Sequence, residues 1–419
     1  MADFTIINAR ILTLANKAPA DGPRRGDAMA DLGVIEKGFV TIQDGLIQAV
    51  GSGLPAEEGI DDVFDADGCV LMPCFVDPHS HACWAGSRID EFEKAQAGQS
   101  YLEILNEGGG IMSTVRAVRA ASEEDLVAML MRRLSSMAAL GSGTVEVKSG
   151  YGLDTETELK MLRAIHAASQ ESVQLLVGTF LGAHAIDPEV PDFVDRIISE
   201  CLPAVCDEFP GIACDAYCEK GAWSVAETTR LFEAALQQGC SLRVHTDQFN
   251  SLGMTQIAID MGALSVDHLE AISDADIQRL AKSETVGVLL PCSGFSLDDR
   301  YAPGRDLIDA GCAVAIASNY NPGSAPTPSM AFAISLAVRR MKMTCAEAIT
   351  AATYNAACVL GVQESTATIE VGKRADLQLL DTSDERELAY EFANAGPLLV
   401  AVNGRIVHAR AIATEEEES

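Results

Sequence analysis

His79-Ser80-His81 closes an apolar run, 69–76, after Asp77 and Pro78. Side chains alternate faces along an extended chain, so two histidines one residue apart point the same way and can reach one metal ion. More polar residues stand just beyond other apolar runs: Tyr151 past Lys148, then His184, His245 with Asp247 and Gln248, His268, and Asn319 with Asn321. Five of the seven histidines fall at such run ends. His166, in a helical stretch, and His408, near the C-terminus, read as structural. Imidazoles from His79, His81 and His245 suit zinc, iron or another first-row divalent ion. An ion of that kind acidifies its water to near neutral pH. His268 is a candidate for polarising a carbonyl or moving a proton. A His-x-His pair taken alone is as readily a surface feature, so the rest of the chain has to decide.

The elements that would position these residues are apolar runs alternating with helix-period stretches. Eight runs read as parallel strands: 69–76, 144–148, 175–181, 214–218, 242–245, 265–267, 286–291 and 314–318. Helical patterns such as 156–170 and 228–238 lie between several of them. That alternation predicts an α/β fold, a (β/α)8 TIM-like barrel whose polar residues gather at the C-terminal ends of the strands. A doubly wound sheet is the alternative, but no G-x-G-x-x-G opens a helix after a strand. The long insertion 78–143 carries Arg88, Tyr101, Gly108-Gly-Gly110 and Arg116, and loops of that length on a barrel rim usually shape a site.

Both ends of the chain read differently from the middle. Residues 4–14, 39–43 and 46–50 look like strands, with Asp44-Gly45 as a hairpin turn; 375–380 and 397–407 look alike, with Asn403-Gly404 between strands. The expected organisation is a composite small β domain from 1–68 and 364–412, a catalytic barrel over 69–363, and an acidic tail over 413–419.

Composition narrows the function classes. The 419 residues are 48% hydrophobic, enough for one large and one small domain. A net charge of -31 disfavours nucleic acid and anionic membranes as partners. No secretory signal or membrane-length apolar stretch is apparent. The twelve cysteines show no paired framework and read as reduced core residues of a cytoplasmic protein.

Several segments are more specific. They are Phe75-Val-Asp-Pro-His-Ser-His81, Ala85-Gly-Ser-Arg88, Gly108-Gly-Gly-Ile-Met-Ser-Thr-Val-Arg116, Val145-Glu-Val-Lys-Ser-Gly-Tyr-Gly-Leu153, Thr179-Phe-Leu-Gly-Ala-His184, His245-Thr-Asp-Gln248, Asp267-His-Leu-Glu270 and Asn321-Pro-Gly-Ser324. On these, nearly the whole chain resembles the amidohydrolase superfamily and, within it, the imidazolonepropionase family. The resemblance implies hydrolytic ring opening of 4-imidazolone-5-propanoate to N-formimino-L-glutamate, a step of histidine degradation. It also implies one divalent metal ion, zinc or iron, and a homodimer. By the same resemblance His79, His81 and His245 are metal ligands with position 319 as the fourth, and Gln248 lies near the imidazolone nitrogens; His268, Gln248 and Asn319 are the catalytic candidates. Arg88, Tyr101, Tyr151, His184, Gln248, Asn321, Gly323 and Ser324 contact an imidazolone carboxylic acid, Arg88 through the acid tail.

One position departs. The family motif has an Asp where this chain has Asn319, in Ala317-Ser-Asn319-Tyr-Asn-Pro-Gly323. That Asp would be the fourth metal ligand and the proton acceptor. An amide oxygen ligates weakly and is no base at neutral pH, which points to impaired turnover. An introduced exchange, a natural variant or pseudoenzyme, and a shifted register all stay open. So do two other readings of the whole chain: a hydantoin- or thiohydantoin-propionate amidohydrolase, and a ligand-binding pseudoenzyme.

Overall fold

The computed structural model describes residues 3–15, 22–55, 62–99, 103, 107–392 and 396–410. Two sheets organise it. The strands in chain order are β1 (Phe4–Leu12), β2 (Val34–Gln43), β3 (Leu46–Ser52), β4 (Val63–Asp65), β5 (Val70–Pro73), β6 (Phe75–Asp77), β7 (Ser142–Lys148) and β8 (Leu175–Ala183). They continue with β9 (Ala213–Cys218), β10 (Leu242–Thr246), β11 (Ser265–His268), β12 (Val286–Leu289), β13 (Val314–Ile316), β14 (Leu377–Leu379), β15 (Leu399–Val402) and β16 (Arg405–Ala409).

Strands β6 to β13 pair in sequence order, all parallel, with helices between most of them. This is the expected barrel. Beyond the strand tips the first and last edges meet: Asn319 N–H donates to His79 O (3.1 Å) and His81 N–H to Tyr320 O (3.0 Å). The buried Asp77 carboxylate adds a clasp, accepting from Ser318 N–H (3.1 Å) and from the Ser318 hydroxyl. The seam therefore joins the histidine pair directly to the segment that carries Asn319.

The second sheet runs β16-β15-β14-β5-β1-β2-β3, with β4 beside β1, so both chain ends build it. Its two hairpins turn at the expected dipeptides. Asp44 and Gly45 have φ of 53° and 83°, Asn403 and Gly404 50° and 67°. Positive φ at both central residues is what a two-residue hairpin loop requires. Arg10 pins β1 to residue 385, donating from Nε (2.9 Å) and Nη2 (3.1 Å) to Glu385.

The apolar run 69–76 is not one strand. Val70–Pro73 belongs to the small sheet, between β1 and β14, while Phe75–Asp77 starts the barrel. Every residue from Val70 to Val76 is buried, so hydrophobicity carries no mark of the break. Among the described residues no helix is long and apolar enough to cross a membrane. The twelve cysteines are free thiols, and nine are buried. Tyr101 and the acidic tail 413–419 lie outside the described residues.

Candidate active site

The parallel strands end where the polar residues collect. His79 and His81 follow β6, and His245 lies near the end of β10. One ligand atom from each lies within 4.8 Å of the others, and among the described residues no other such cluster occurs. His245 Nε2 stands 3.4 Å from His81 Nε2, so these two ring nitrogens face each other. The far nitrogens are taken: Asp267 Oδ2 holds His79 Nδ1 at 2.6 Å, and Asp215 Oδ1 holds His245 Nδ1 at 3.1 Å. A carboxylate on Nδ1 fixes the proton there and leaves Nε2 with a lone pair. His79 Nε2 accordingly has no hydrogen-bond partner among the described residues. Burial pushes all three rings below the usual histidine range, His79 and His81 well below, so they are neutral, as ligation requires.

Behind the histidines lies a fully buried ion network. Lys148 Nζ pairs with Glu146 (2.9 Å) and with Asp215 (2.7 Å); Arg243 pairs with Glu146 (2.6 Å) and with Asp267 (3.3 Å). Arg243 also donates to Ser265 Oγ (3.0 Å) and Pro78 O (2.7 Å). Two cations thus serve three carboxylates, one negative charge in excess beneath the imidazoles. Burial alone would raise Asp215. The hydrogen bond from His245 Nδ1–H, with the charges of Lys148 and Arg243, outweighs it and holds the carboxyl well below its ordinary value.

Asn319 sits at φ 54°, buried, its Nδ2 donating to Ser293 Oγ at 2.8 Å. Its Oδ1 is a buried acceptor with no hydrogen-bond partner among the described residues. An orphaned Nε2 and an orphaned amide oxygen, on segments joined at the barrel seam, make a donor set that fits a divalent cation.

Around this set the ring-binding candidates come together. His184 stacks on His81 (4.8 Å between centroids, 15°) and donates from Nδ1 to Gly150 O (3.0 Å). Burial takes its pKa down to about 3, so it too is neutral. Tyr151 lies 5.2 Å from His184 and 6.0 Å from His81, centroid to centroid. Its loop is shaped by buried Glu158, which accepts from Gly150 N (3.0 Å), Gly152 N (2.8 Å) and Leu153 N (2.9 Å). His268 Nδ1 meets Glu270 at 3.2 Å, and its ring centroid is 5.6 Å from that of His245. Gln248 Oε1 accepts from Tyr217 OH at 2.8 Å, leaving the amide nitrogen of Gln248 free to donate elsewhere. Glu219 grips the following backbone at Phe249 N (2.8 Å) and Asn250 N (3.1 Å), so its carboxylate is committed to the loop.

Asn321 shapes its own turn. Its Oδ1 accepts from Gly323 N (2.8 Å) and Ser324 N (2.7 Å), and its Nδ2 donates to Asn319 O (2.6 Å). Arg88 reaches this turn: a Cβ at Gly323 would lie 2.7 Å from Arg88 Nη1, so glycine leaves room for the guanidinium. The Arg88 charge also acts on Tyr151, whose hydroxyl burial raises. Arg88, Tyr151, His184, the metal-ligating candidates and the 321–324 turn therefore form one cluster. The sequence reading missed Glu91, Glu158, Asp215, Tyr217, Arg243 and Asp267 as supports. An available signal was charge inside apolar strands, at Glu146, Lys148, Asp215 and Arg243.

Comparison with known proteins agrees. The model of the amidohydrolase family matches residues 70–407. Imidazolonepropionase of Herpetosiphon aurantiacus is 44% identical, covering 97% of each chain. Imidazolonepropionase of Symbiobacterium thermophilum is 42% identical, again over 97% of each. That of Deinococcus radiodurans is 44% identical over 89% of this chain and 92% of its own. Among solved structures, 5-methylcytosine deaminase from Klebsiella pneumoniae superposes with a TM-score of 0.73 at 17% identity, covering 97% and 98% of the two chains. Guanine deaminase of E. coli gives 0.71 at 15%, covering 98% and 100%. At such identities these two structures speak for the fold alone.

Proposed function

The chain belongs to the amidohydrolase family and, within it, to the imidazolonepropionases; from that premise we propose that it opens the ring of 4-imidazolone-5-propanoate with water, giving N-formimino-L-glutamate. The observation that carries this reading is one cluster holding three neutral, converging imidazoles and, beside Tyr151 and the 321–324 turn, the Arg88 guanidinium. The first suits hydrolysis and the second a carboxylate tail.

His79, His81 and His245 would hold one divalent ion, zinc or iron, with Asn319 Oδ1 as a weak fourth donor. When bound, that ion supplies Lewis acidity, acidifying water and drawing electron density from the ring carbonyl. The residues do the rest. Arg88 binds the propanoate, and Tyr151 and His184 flank the ring. Gln248, its oxygen held by Tyr217, offers its N–H groups to the ring's polar edge. His268, steadied by Glu270, donates to the carbonyl oxygen or carries the proton. Overall, the water oxygen adds to the carbonyl carbon, the adjacent C–N bond breaks, and the departing nitrogen takes a proton. Asn319 cannot accept a proton from water, so turnover is slow in this chain. That same residue supports a second reading, a pocket that binds the ring acid without turning it over.

The division into a composite small β domain and a catalytic barrel ending near residue 363 belongs to this proposal, with the first boundary at residue 74 instead of 69 because Val70–Pro73 pairs in the small sheet; so do a homodimer, a cytoplasmic location and the acidic tail. The test is loss of the imidazolone absorbance on incubation with the metal-loaded protein. A rate no faster than solvent would favour the binding reading.

A further inference from the structure

Arg88 already has an acidic partner. Its Nη2 donates to Glu91 Oε2 at 2.6 Å, and both side chains are 17% exposed. The same oxygen of Glu91 accepts from Gly110 N–H at 3.1 Å. Glu91 lies in the first turn of the helix Ile89–Gln96, and Gly110 precedes the helix Ile111–Ala120. One carboxylate oxygen therefore ties the arginine to the start of a second helix. Gly110 has φ 75°, a backbone conformation that glycine adopts without strain. On the other side Arg88 Nη1 lies over Gly323, and among the described residues the buried Nε has no partner.

A substrate-binding arginine paired in this way is not simply a positive charge. The ion pair leaves the spot nearly neutral, so long-range attraction for anions is weak. What remains is direction. A guanidinium has five N–H groups in a fixed fork, and Glu91 engages one of them. Long arginine side chains sample many rotamers, and a ligand must otherwise meet the cost of ordering them.

We infer that Glu91 is a positioning residue. It holds the Arg88 fork over Gly323, so that the remaining N–H groups meet a carboxylate only at a set distance from the histidine cluster. The specificity this confers is for ring acids with a single carboxylate on an arm of fixed length, and it rests on the ring-acid reading above.

The test uses the metal-loaded full chain and two unreactive probes, 3-(imidazol-4-yl)propanoate and its tail amide, with binding read by calorimetry. Glu91→Ala should weaken the carboxylate probe about tenfold, the scale of one lost charge-assisted hydrogen bond, and leave the amide probe unchanged. Glu91→Gln keeps an acceptor for both donors and should recover most of that loss. In an Arg88→Met protein the Glu91→Ala exchange should have no further effect on either probe, because Glu91 acts only through Arg88. In turnover the effect should appear in KM with kcat changed less than about threefold. Equal weakening of both probes would mean that Glu91 merely holds the loop. No weakening, or no binding of the carboxylate probe by the unaltered protein, would also overturn the inference. If the probes behave as expected and imidazolonepropanoate is not hydrolysed, the proposed function fails while the role of Glu91 stands.

Discussion

Asp267 offers the sharpest test of how the proposed metal site is built. Its Oδ2 holds His79 Nδ1 at 2.6 Å and also meets Arg243 Nη2 at 3.3 Å. Asp267→Asn keeps the shape, removes the charge, and allows an amide N–H to face the imidazole. His79 then loses the charged acceptor that keeps its proton on Nδ1; an amide oxygen accepts more weakly, and an amide N–H turned toward the ring would move the proton to Nε2. Outer partners of this kind are worth roughly 10–100-fold in metal affinity, or about 1.4–2.7 kcal/mol. Stability must be measured alongside, because breaking a buried ion pair costs roughly 3–5 kcal/mol by itself. Glu146→Gln separates the two effects. Glu146 pairs with Lys148 (2.9 Å) and Arg243 (2.6 Å), and among the described residues no hydrogen bond joins it to a histidine. We expect Glu146→Gln to lower the denaturation midpoint at least as much as Asp267→Asn while weakening metal less. The assay is competition against a chromophoric chelator, with urea unfolding of the same samples. Equal metal affinity in wild type and a folded Asp267→Asn protein would refute the reasoning.

Gly150 has φ 104°, and a Cβ there would lie 2.8 Å from Leu181 O. Gly150→Ala should cost roughly 1–3 kcal/mol by urea unfolding and raise KM by displacing Tyr151; unchanged values of both would contradict the account of that loop. Glu385, bound by Arg10, has its pKa lowered even though burial opposes the shift. A depressed carboxyl contributes stability above the unfolded value of 4.5, lost as pH falls through the folded value. Glu385→Gln should therefore be less stable than wild type at pH 7, with the gap closing toward pH 3; a gap that stays constant across that range would contradict it.

The barrel was legible because parallel strands buried on both faces read as apolar runs, and because chemistry gathers at their C-terminal ends. His79, His81, His245 and His268 were singled out as candidates in that way. The split between Pro73 and Phe75 was not, since a chain passing from one buried sheet to another stays apolar throughout. The ion network was hidden for a different reason. Glu146 and Arg243 meet at 2.6 Å although 97 residues separate them, and only the folded barrel brings them together. Glu146 and Lys148, two apart on one strand, did carry the inward-facing period, which could have marked them as a pair. Glu91 reads from sequence as one more surface acid in a helix's first turn.

The central claim is a metal-dependent ring-opening hydrolase held back by one amide. The direct measurement is steady-state hydrolysis of imidazolonepropanoate by the metal-loaded chain and its Asn319→Asp form, with metal content determined on both. The account predicts slow, chelator-sensitive turnover by the first. It predicts a gain of about 10²–10⁴-fold in the second, the usual worth of a positioned general base. Equal rates at equal metal content, or no turnover by either protein, would contradict it.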